Sequence, residues 1–379
     1  MKTPGIYVSG LGAVIPGIMD ARDAVELGLY DPEDYEWFGW TGAAVAGDTP
    51  APDLAVRAAR QAVQRSGHSG ADIDVHLHAY SWAQGPIGWS PHHYILRHIT
   101  DRDVPSLLFW QACSGVVGSL EVAASYLMAV QERRVAVVTG ADNVGVPNFN
   151  RWAFGLQNGV IGDGASAVVL SKNGGFARLL SIRSGSTSDL EHLYRGNEPV
   201  FPPSHDNSRQ VDFRERMASF GDDTDTSVEK VISRQGELRA ELALSALAEA
   251  GLGPGDVSRV THVFTGQESY LKVILDPMGL RPEQGLLEFG RQFGHMTVND
   301  QIVGLEHLVV TRQVGPGDNV LMVAHGGGTS ITCAVVRILH QPDWADGRAT
   351  TPPPVAPSTP APHVNRVRLT PPHSRGGAR

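Results

Sequence analysis

The chain has 379 residues, of which 41% are hydrophobic, and a formal net charge of −9 at pH 7. This length allows a large buried core, built either as one domain or as two fused halves. The acidic balance and the lack of a basic stripe argue against a nucleic-acid partner. Two cysteines, no signal peptide and no apolar run of membrane length predict a cytoplasmic protein without a membrane partner.

The first predicted unit is a helix followed by a strand. Small residues at helical spacing occupy residues 54–75, and the apolar strand Val75–Tyr80 follows them. His76 and His78 alternate on this strand and could face the same side. Because no third ligand follows at a convincing spacing, we predict no metal site.

The next unit places a cysteine between a strand and a helix. Ser106–Trp110 is typical of a core strand, and Gly115–Val130 has the apolar spacing of a helix. Cys113 therefore falls at the helix N-terminus, where unpaired backbone amides favour a thiolate and can hold an oxyanion. We interpret Cys113 as a nucleophile; the alternative is a buried structural cysteine. Cys333, in an apolar strand pattern, is interpreted as a core residue.

Later segments repeat the earlier ones in the same order. Residues 238–264 have the helix, turn and strand pattern of residues 54–75 and the strand after them. The strand Val135–Gly140 likewise corresponds to Val320–His325. An ordered series of matches predicts two related α/β halves.

Composition divides the chain into four segments. Polar residues and prolines separate the two halves, and proline-rich sequence follows the second half. The predicted segments are an N-terminal half with the nucleophile (1–175), a cap or loop insertion (176–230), a C-terminal half (231–340) and a disordered tail (341–379).

Four motifs on this duplicated chain resemble the thiolase-fold condensing enzymes, and most closely the β-ketoacyl-ACP synthase III homologues of polyketide and other secondary metabolism. They are W-Q-A-C-S-G (110–115), G-D-G-A-S-A-V-V-L (162–170), F-G-H-M-T-V-N-D-Q (293–301) and H-G-G-G-T-S (325–330). The resemblance implies a five-layered αβαβα fold, an active site where the two halves meet, a homodimer, and Cys113 as the acyl-accepting nucleophile.

Two departures from this family concern decarboxylation. Decarboxylating members carry a histidine where this chain has Gly266, and an asparagine where it has His295. His295 and Asp300 resemble instead the Cys-His-Asp set of the acyltransferase and priming-ketosynthase branch, with His295 as base and Asp300 as its orienting group. The alternatives are an interior histidine for His295, and for Asp300 a cap on the helix from about Asn299 to Val310.

The resemblance also implies an oxyanion hole and an entrance. Gly326, Gly327 and Gly328 allow close backbone approach, so the amide of Gly327 would join that of Cys113; the alternative is a plain turn. Asp163 is interpreted as a turn residue.

Four residues are candidates for substrate binding: Trp37, Trp82, Gly266 and Gln267. Coenzyme A-dependent members have an arginine near the position of Trp40, and its absence weakens the case for that donor. Aromatic residues suggest a pocket for a hydrophobic or ring-bearing group, although core packing explains them equally well; they are Trp82, Trp110, Trp152, Phe154 and Phe213.

Arg133, Arg134 and Arg151 are candidates for docking an acyl carrier protein.

These observations predict an acyltransferase. It would take an acyl group from a carrier-protein phosphopantetheine or coenzyme A thioester onto Cys113 and pass it to a hydroxyl, amine or thiol, with no bound cofactor. The alternative is a priming ketosynthase that uses His295 alone to help decarboxylate malonyl-carrier protein and forms a carbon–carbon bond. A non-catalytic partner subunit is disfavoured because Cys113 and His295 are retained.

Overall fold

The secondary structure alternates between short strands and helices, as the sequence predicts. The structure is a computed structural model that describes residues 1–154, 159–188, 191–201, 211–218, 228–327 and 330–345. The strands in these residues are β1 (Tyr7–Val14), β2 (Gly17–Asp20), β3 (Gly42–Val45), β4 (Val75–Ala79), β5 (Ser106–Phe109), β6 (Val135–Asp142), β7 (Gly164–Ser171), β8 (Ala177–Ser186), β9 (Arg259–Thr261), β10 (Asn319–Gly326) and β11 (Ser330–Ile338). The helices are α1 (Ala21–Glu26), α2 (Pro32–Phe38), α3 (Ala51–Ser66), α4 (Pro91–Leu96), α5 (Gly115–Ala129), α6 (Glu191–Arg195), α7 (Phe213–Ala218), α8 (Val228–Glu249), α9 (Glu268–Leu275), α10 (Leu287–Gly290) and α11 (Asp300–Val310).

The two halves have the same strand order. The strands of the described residues join in the order β5-β4-β6-β7-β1-β8-β11-β10-β9, while β2 and β3 pair separately. In the first half β7 lies antiparallel between β1 and β6, and β4 is parallel to β6. In the second half β11 lies antiparallel between β8 and β10, and β9 is parallel to β10. The duplication seen in the sequence is therefore present in the topology.

Helices separate these sheet halves into five layers. α3 covers the outer face of the first half, and α8 covers the outer face of the second. α5 and α11 lie between the halves, where Leu120 and Leu305 share one buried cluster with Val138 of β6 and Met322 of β10. This arrangement confirms the predicted αβαβα thiolase fold and brings the starts of α5 and α11 together.

Two of the predicted segment boundaries need correction. The insertion expected at 176–230 begins later, because Ala177–Ser186 is β8, which pairs with β11 inside the second half. Its described remainder contains α6 and α7. Residues 341–345, expected in the disordered tail, belong to the folded part instead, because the Trp344 ring packs 5.5 Å from Phe176 and Ala345 is buried. Residues 346–379 lie outside the described residues.

The predicted core strand Ser106–Trp110 is instead an edge strand. β5 pairs with β4 on one side, and in the described residues no strand covers its other side. Leu107, Leu108 and Trp110 are respectively 43%, 39% and 62% exposed. The described residues contain one helical stretch apolar enough to cross a membrane, Ala112–Ala129, and it includes α5 at the centre of the fold.

Candidate active site

Cys113 lies on a strained turn that joins β5 to α5. Ala112 just before it has a φ of 45°, a left-handed conformation that is rare for alanine. The backbone then makes one 3-10 turn, Ala112–Ser114, and continues as α5. This geometry leaves Cys113 half-buried on the wall of a cavity. The helix N-terminus and the nucleophile therefore have the relation that the sequence predicts.

The end of β10 packs closely against this turn. A Cβ on Gly326 would lie 2.2 Å from the carbonyl oxygen of Gln111 and 3.2 Å from the amide nitrogen of Cys113, so only glycine fits. Gly327 follows on the cavity wall, next to Cys113 and against the Tyr194 ring. The position expected of an oxyanion loop is therefore beside the thiol. Gly328 lies outside the described residues.

His295 reaches Cys113 from the second half. Its amide donates to Val160 at 2.9 Å, and its carbonyl accepts from Gly162 at 2.9 Å, which fixes its backbone to the segment before β7. The imidazole is fully buried, and its Nε2 lies 2.9 Å from Sγ of Cys113. The nucleophile and the predicted base are therefore in direct contact.

Asp300 completes the set from the first residue of α11. Its Oδ2 lies 2.5 Å from Nδ1 of His295 and also accepts the amide of Phe264 at 2.7 Å. Its Oδ1 accepts the amide of Met296 at 2.7 Å. These partners orient the carboxylate toward His295 and away from the helix amides, so Asp300 does not cap α11 through its side chain. The structure thus brings Cys113, His295 and Asp300 together in a line.

The electrostatics of this line favour a charged imidazole. Burial lowers the pKa of His295, but the Cys113 thiolate and the Asp300 carboxylate oppose burial and together hold that pKa well above its usual value. The imidazole of His295 is therefore favoured in its charged form, within hydrogen-bond distance of the Cys113 sulfur.

A second carboxylate, which the sequence analysis did not identify, fixes the loop that carries His295. Thr297 has a φ of 54°, and its hydroxyl donates to Asp142 at 2.5 Å. Asp142 also accepts the amides of Ser81 and Trp82, so it ties this loop to the segment after β4. Burial raises its pKa to about 7 against these hydrogen bonds. The available sequence signal was an aspartate at the end of an apolar strand.

The cavity that contains Cys113 has a volume of about 570 Å³ and a mostly apolar wall. Four of the five aromatic residues proposed from the sequence line it; the fifth, Trp152, packs 5.2 Å from Tyr30 in the core. The lining residues are Ser81, Trp82, Trp110, Ala112, Cys113, Val144, Phe149, Phe154, Ile161, Glu191, Leu193, Tyr194, Arg195, Phe213, Arg216, Gln235, Tyr270, Thr297, His325 and Gly327. Tyr194, Tyr270 and Gln235 were not identified from the sequence, because neither charge nor spacing marks them.

Three of the four predicted substrate-binding residues lie outside this cavity. Trp82 lines it, but Gly266, Gln267 and Trp37 form a separate cluster in which the Gln267 amide donates to the carbonyl of Trp37. A Cβ on Gly266 would lie 2.1 Å from the carbonyl oxygen of Phe38 and 2.8 Å from the amide nitrogen of Trp40. The backbone at the end of α2 therefore fills the space that a side chain at 266 would need.

The proposed docking arginines are not at the cavity mouth. Arg151 is nearly buried and pairs with Asp163 at 2.8 Å, so both residues support the fold. Arg133 stacks on Tyr126 and Arg134 bonds Asn173, before the start of β6. The cavity lies beyond the opposite end of that strand. The expected basic docking patch is therefore not formed by these residues.

Comparison with known proteins agrees with this geometry. Residues 109–188 match the family model of 3-oxoacyl-[acyl-carrier-protein] synthase III, and residues 247–338 match the model of its C-terminal region. A beta-ketoacyl-[acyl-carrier-protein] synthase III from Syntrophomonas wolfei is 26% identical over 75% of this chain and 81% of its own length.

Solved structures extend the likeness to the whole fold. The acyltransferase ChlB3 is 39% identical, with a TM-score of 0.84 over 90% of this chain and 100% of its own. The 3-oxoacyl-[acyl-carrier-protein] synthase III of Aquifex aeolicus is 20% identical, with a TM-score of 0.70 over 88% of this chain and 99% of its own, which shows a common fold. The chain belongs to the 3-oxoacyl-[acyl-carrier-protein] synthase III family of thiolase-fold enzymes.

Proposed function

We propose that this enzyme is an acyltransferase that moves an acyl group from a thioester to Cys113 and then to an acceptor hydroxyl, amine or thiol, without decarboxylation. The observation that carries the proposal is the line of Cys113, His295 and Asp300, with contacts of 2.9 and 2.5 Å. The lack of space at Gly266 for the histidine of decarboxylating relatives supports it, as does the similarity to the acyltransferase ChlB3.

The first half-reaction transfers the acyl group to the enzyme. The Cys113 thiolate attacks the thioester carbonyl, and the amides of Cys113 and Gly327 hold the oxyanion that forms. When this intermediate collapses, the carbon–sulfur bond to the carrier breaks, and the leaving thiolate takes the proton from His295. The acyl group is then on Cys113 and the imidazole is neutral.

The second half-reaction runs through the same groups in reverse. Neutral His295 removes a proton from the acceptor as the acceptor attacks the Cys113 thioester. Collapse of the second oxyanion expels the Cys113 thiolate and restores the imidazolium, which Asp300 stabilises at each turn. Protons and bonds balance without an external base, so an ester, an amide or a new thioester is the product.

The thioester donor in this proposal is a carrier-protein phosphopantetheine arm. Trp40, which stands near the arginine position of coenzyme A-dependent relatives, is only 1% exposed and packs in the core. Trp37 is 71% exposed but lies outside the cavity. Residue 40 therefore supplies no exposed cation that could flank an adenine.

Intact-protein mass spectrometry tests the function. The protein is incubated with acyl and malonyl thioesters, then with malonyl-carrier protein or with alcohols and amines. We expect an adduct that Cys113→Ala abolishes, that Cys333→Ala keeps, and that an alcohol or amine discharges. Cys333 is a matched control because it is fully buried and burial raises its pKa to about 12. Release of carbon dioxide with a β-ketoacyl carrier product would instead establish the ketosynthase.

The exposed edge of the sheet supports a homodimer in the same proposal. β5 presents unpaired backbone together with Leu107 and Leu108, and an apolar sheet edge is a site for pairing with another chain. A second copy that places its own β5 alongside would pair with this backbone and cover the two leucines. Light scattering after size exclusion should give a dimer for the native chain and a monomer for Leu108→Lys. An unchanged dimer in that variant would place the interface elsewhere.

A further inference from the structure

A buried amide without a partner borders the cavity on the side of α8. Gln235 is 8% exposed and lines the cavity, and its Nε2 has no hydrogen-bond partner among the described residues. A buried donor that makes no hydrogen bond loses the bonds it had with water and gains none in return. Its presence in an apolar wall therefore needs an explanation, and a bound ligand supplies one.

A second polar atom has the same property. The hydroxyl oxygen of Ser81, in the segment after β4, is buried, lines the same cavity and has no partner in the described part of the chain. Aromatic rings make up much of the remaining wall, and Trp82 and Phe149 stack edge to face at 4.5 Å. The cavity thus combines an apolar wall rich in aromatic rings with two polar positions.

The charged groups of the cavity already have partners. Arg195 pairs with Glu191 at 2.9 Å, and Arg216 pairs with Glu198 at 3.0 Å. A charged ligand would compete with these pairs, whereas a neutral oxygen would need only the Gln235 donor or the Ser81 hydroxyl. The chemistry of the wall therefore favours an uncharged hydrogen-bonding substituent.

We propose that Gln235 determines the acyl specificity of the enzyme by donating a hydrogen bond to a neutral oxygen on a ring-bearing acyl group bound in the cavity. Ser81 serves a second oxygen on the same group. The inference rests on the proposed acyl transfer to Cys113 and adds to it the class of acyl group, an oxygenated aromatic or cyclic acid. A plain alkyl group would leave both polar atoms without partners.

The test compares matched thioesters on the full chain. Rates of Cys113 acylation are measured by intact mass with N-acetylcysteamine thioesters of benzoic acid and of its three monohydroxy isomers. Because a site built around a polar group rejects ligands that lack it, we expect one isomer to react about tenfold or more faster than benzoyl. Gln235→Leu should remove that preference, so that the favoured isomer and benzoyl react with Cys113 at similar rates. Ser233→Ala, an exposed change on the same helix, should keep the preference.

Each outcome has a separate meaning. Equal rates for benzoyl and all three isomers with the native chain would overturn the specificity role, while acyl transfer to Cys113 would stand. A preference that survives Gln235→Leu would also overturn it and move recognition to another residue. Reaction of Cys113 with none of the thioesters, or with malonyl thioesters alone, would refute the proposed function itself. Thermal unfolding of each variant, compared with the native chain, verifies that the cavity is intact.

Discussion

Substitution of Gly266 by alanine tests whether the backbone at the end of α2 excludes a side chain there. The new methyl would lie 2.1 Å from the carbonyl oxygen of Phe38, where ordinary contact begins at 3.4 Å, so the two segments must separate by about 1.3 Å. Overpacking of this kind costs about 1–3 kcal/mol. With an unfolding entropy of about 0.8 kcal/mol/K for 379 residues, the Tm falls by about 1–4 °C. Gly266→His should cost at least as much.

Urea denaturation and calorimetry give the stability, and carbon dioxide release from malonyl-carrier protein gives the chemistry. Gly255→Ala is the matched control, because a Cβ on Gly255 would meet no atom within 4 Å. We expect the control to be near neutral, Gly266→Ala to be destabilised, and Gly266→His to gain no decarboxylation. Unchanged stability of Gly266→Ala, or decarboxylation by Gly266→His, would refute the steric explanation for the missing histidine.

Two further predictions concern protonation. Asp300→Asn removes a charge that raises the pKa of His295, so the imidazolium–thiolate pair loses population. Acylation of Cys113 should therefore slow by about 10²- to 10⁴-fold near pH 7 and recover as the pH rises. A pH-independent loss, measured by intact mass, would argue that Asp300 only supports the loop. His78 is fully buried, and burial lowers its pKa from 6.5 to about 4. Its contribution to stability is therefore complete above pH 6.5 and is lost as pH falls toward 4, because the unfolded chain takes up the proton first. The free energy of unfolding from urea denaturation should depend less steeply on pH in His78→Gln, by about 1.4 kcal/mol per pH unit within this window. An identical slope in both proteins would contradict this.

The line of Cys113, His295 and Asp300 could be predicted from the sequence because its members lie on elements with strong local patterns. Cys113 precedes a helix with clear apolar spacing, and Asp300 begins another, so both ends of the line were expected where they lie. The duplication was likewise readable, since small-residue helices and apolar strands recur in order. Four of the five aromatic residues suggested for a pocket do line it.

What the sequence could not predict depends on neighbours distant along the chain. An apolar run such as Ser106–Trp110 is compatible with a buried central strand and with an edge strand, so its exposure was not predictable from the sequence. Exposed positions such as Arg178 and Arg183 interrupt the apolar pattern of β8, so its sequence does not mark it as a strand of the second half. Gly266 was expected to bind substrate by family position, but the backbone at Phe38, far away in sequence, occupies that space.

The junction between the two halves holds both the central buried cluster and the contact between Cys113 and His295. The thiol belongs to the first half and the imidazole to the second, so a mutation that shifts either half disturbs their contact and the core together. The cap helices α6 and α7 supply Tyr194, Arg195 and Phe213 to the cavity but lie outside the central buried cluster. Substitutions in the cap can therefore reshape part of the cavity wall without changing the contact between Cys113 and His295.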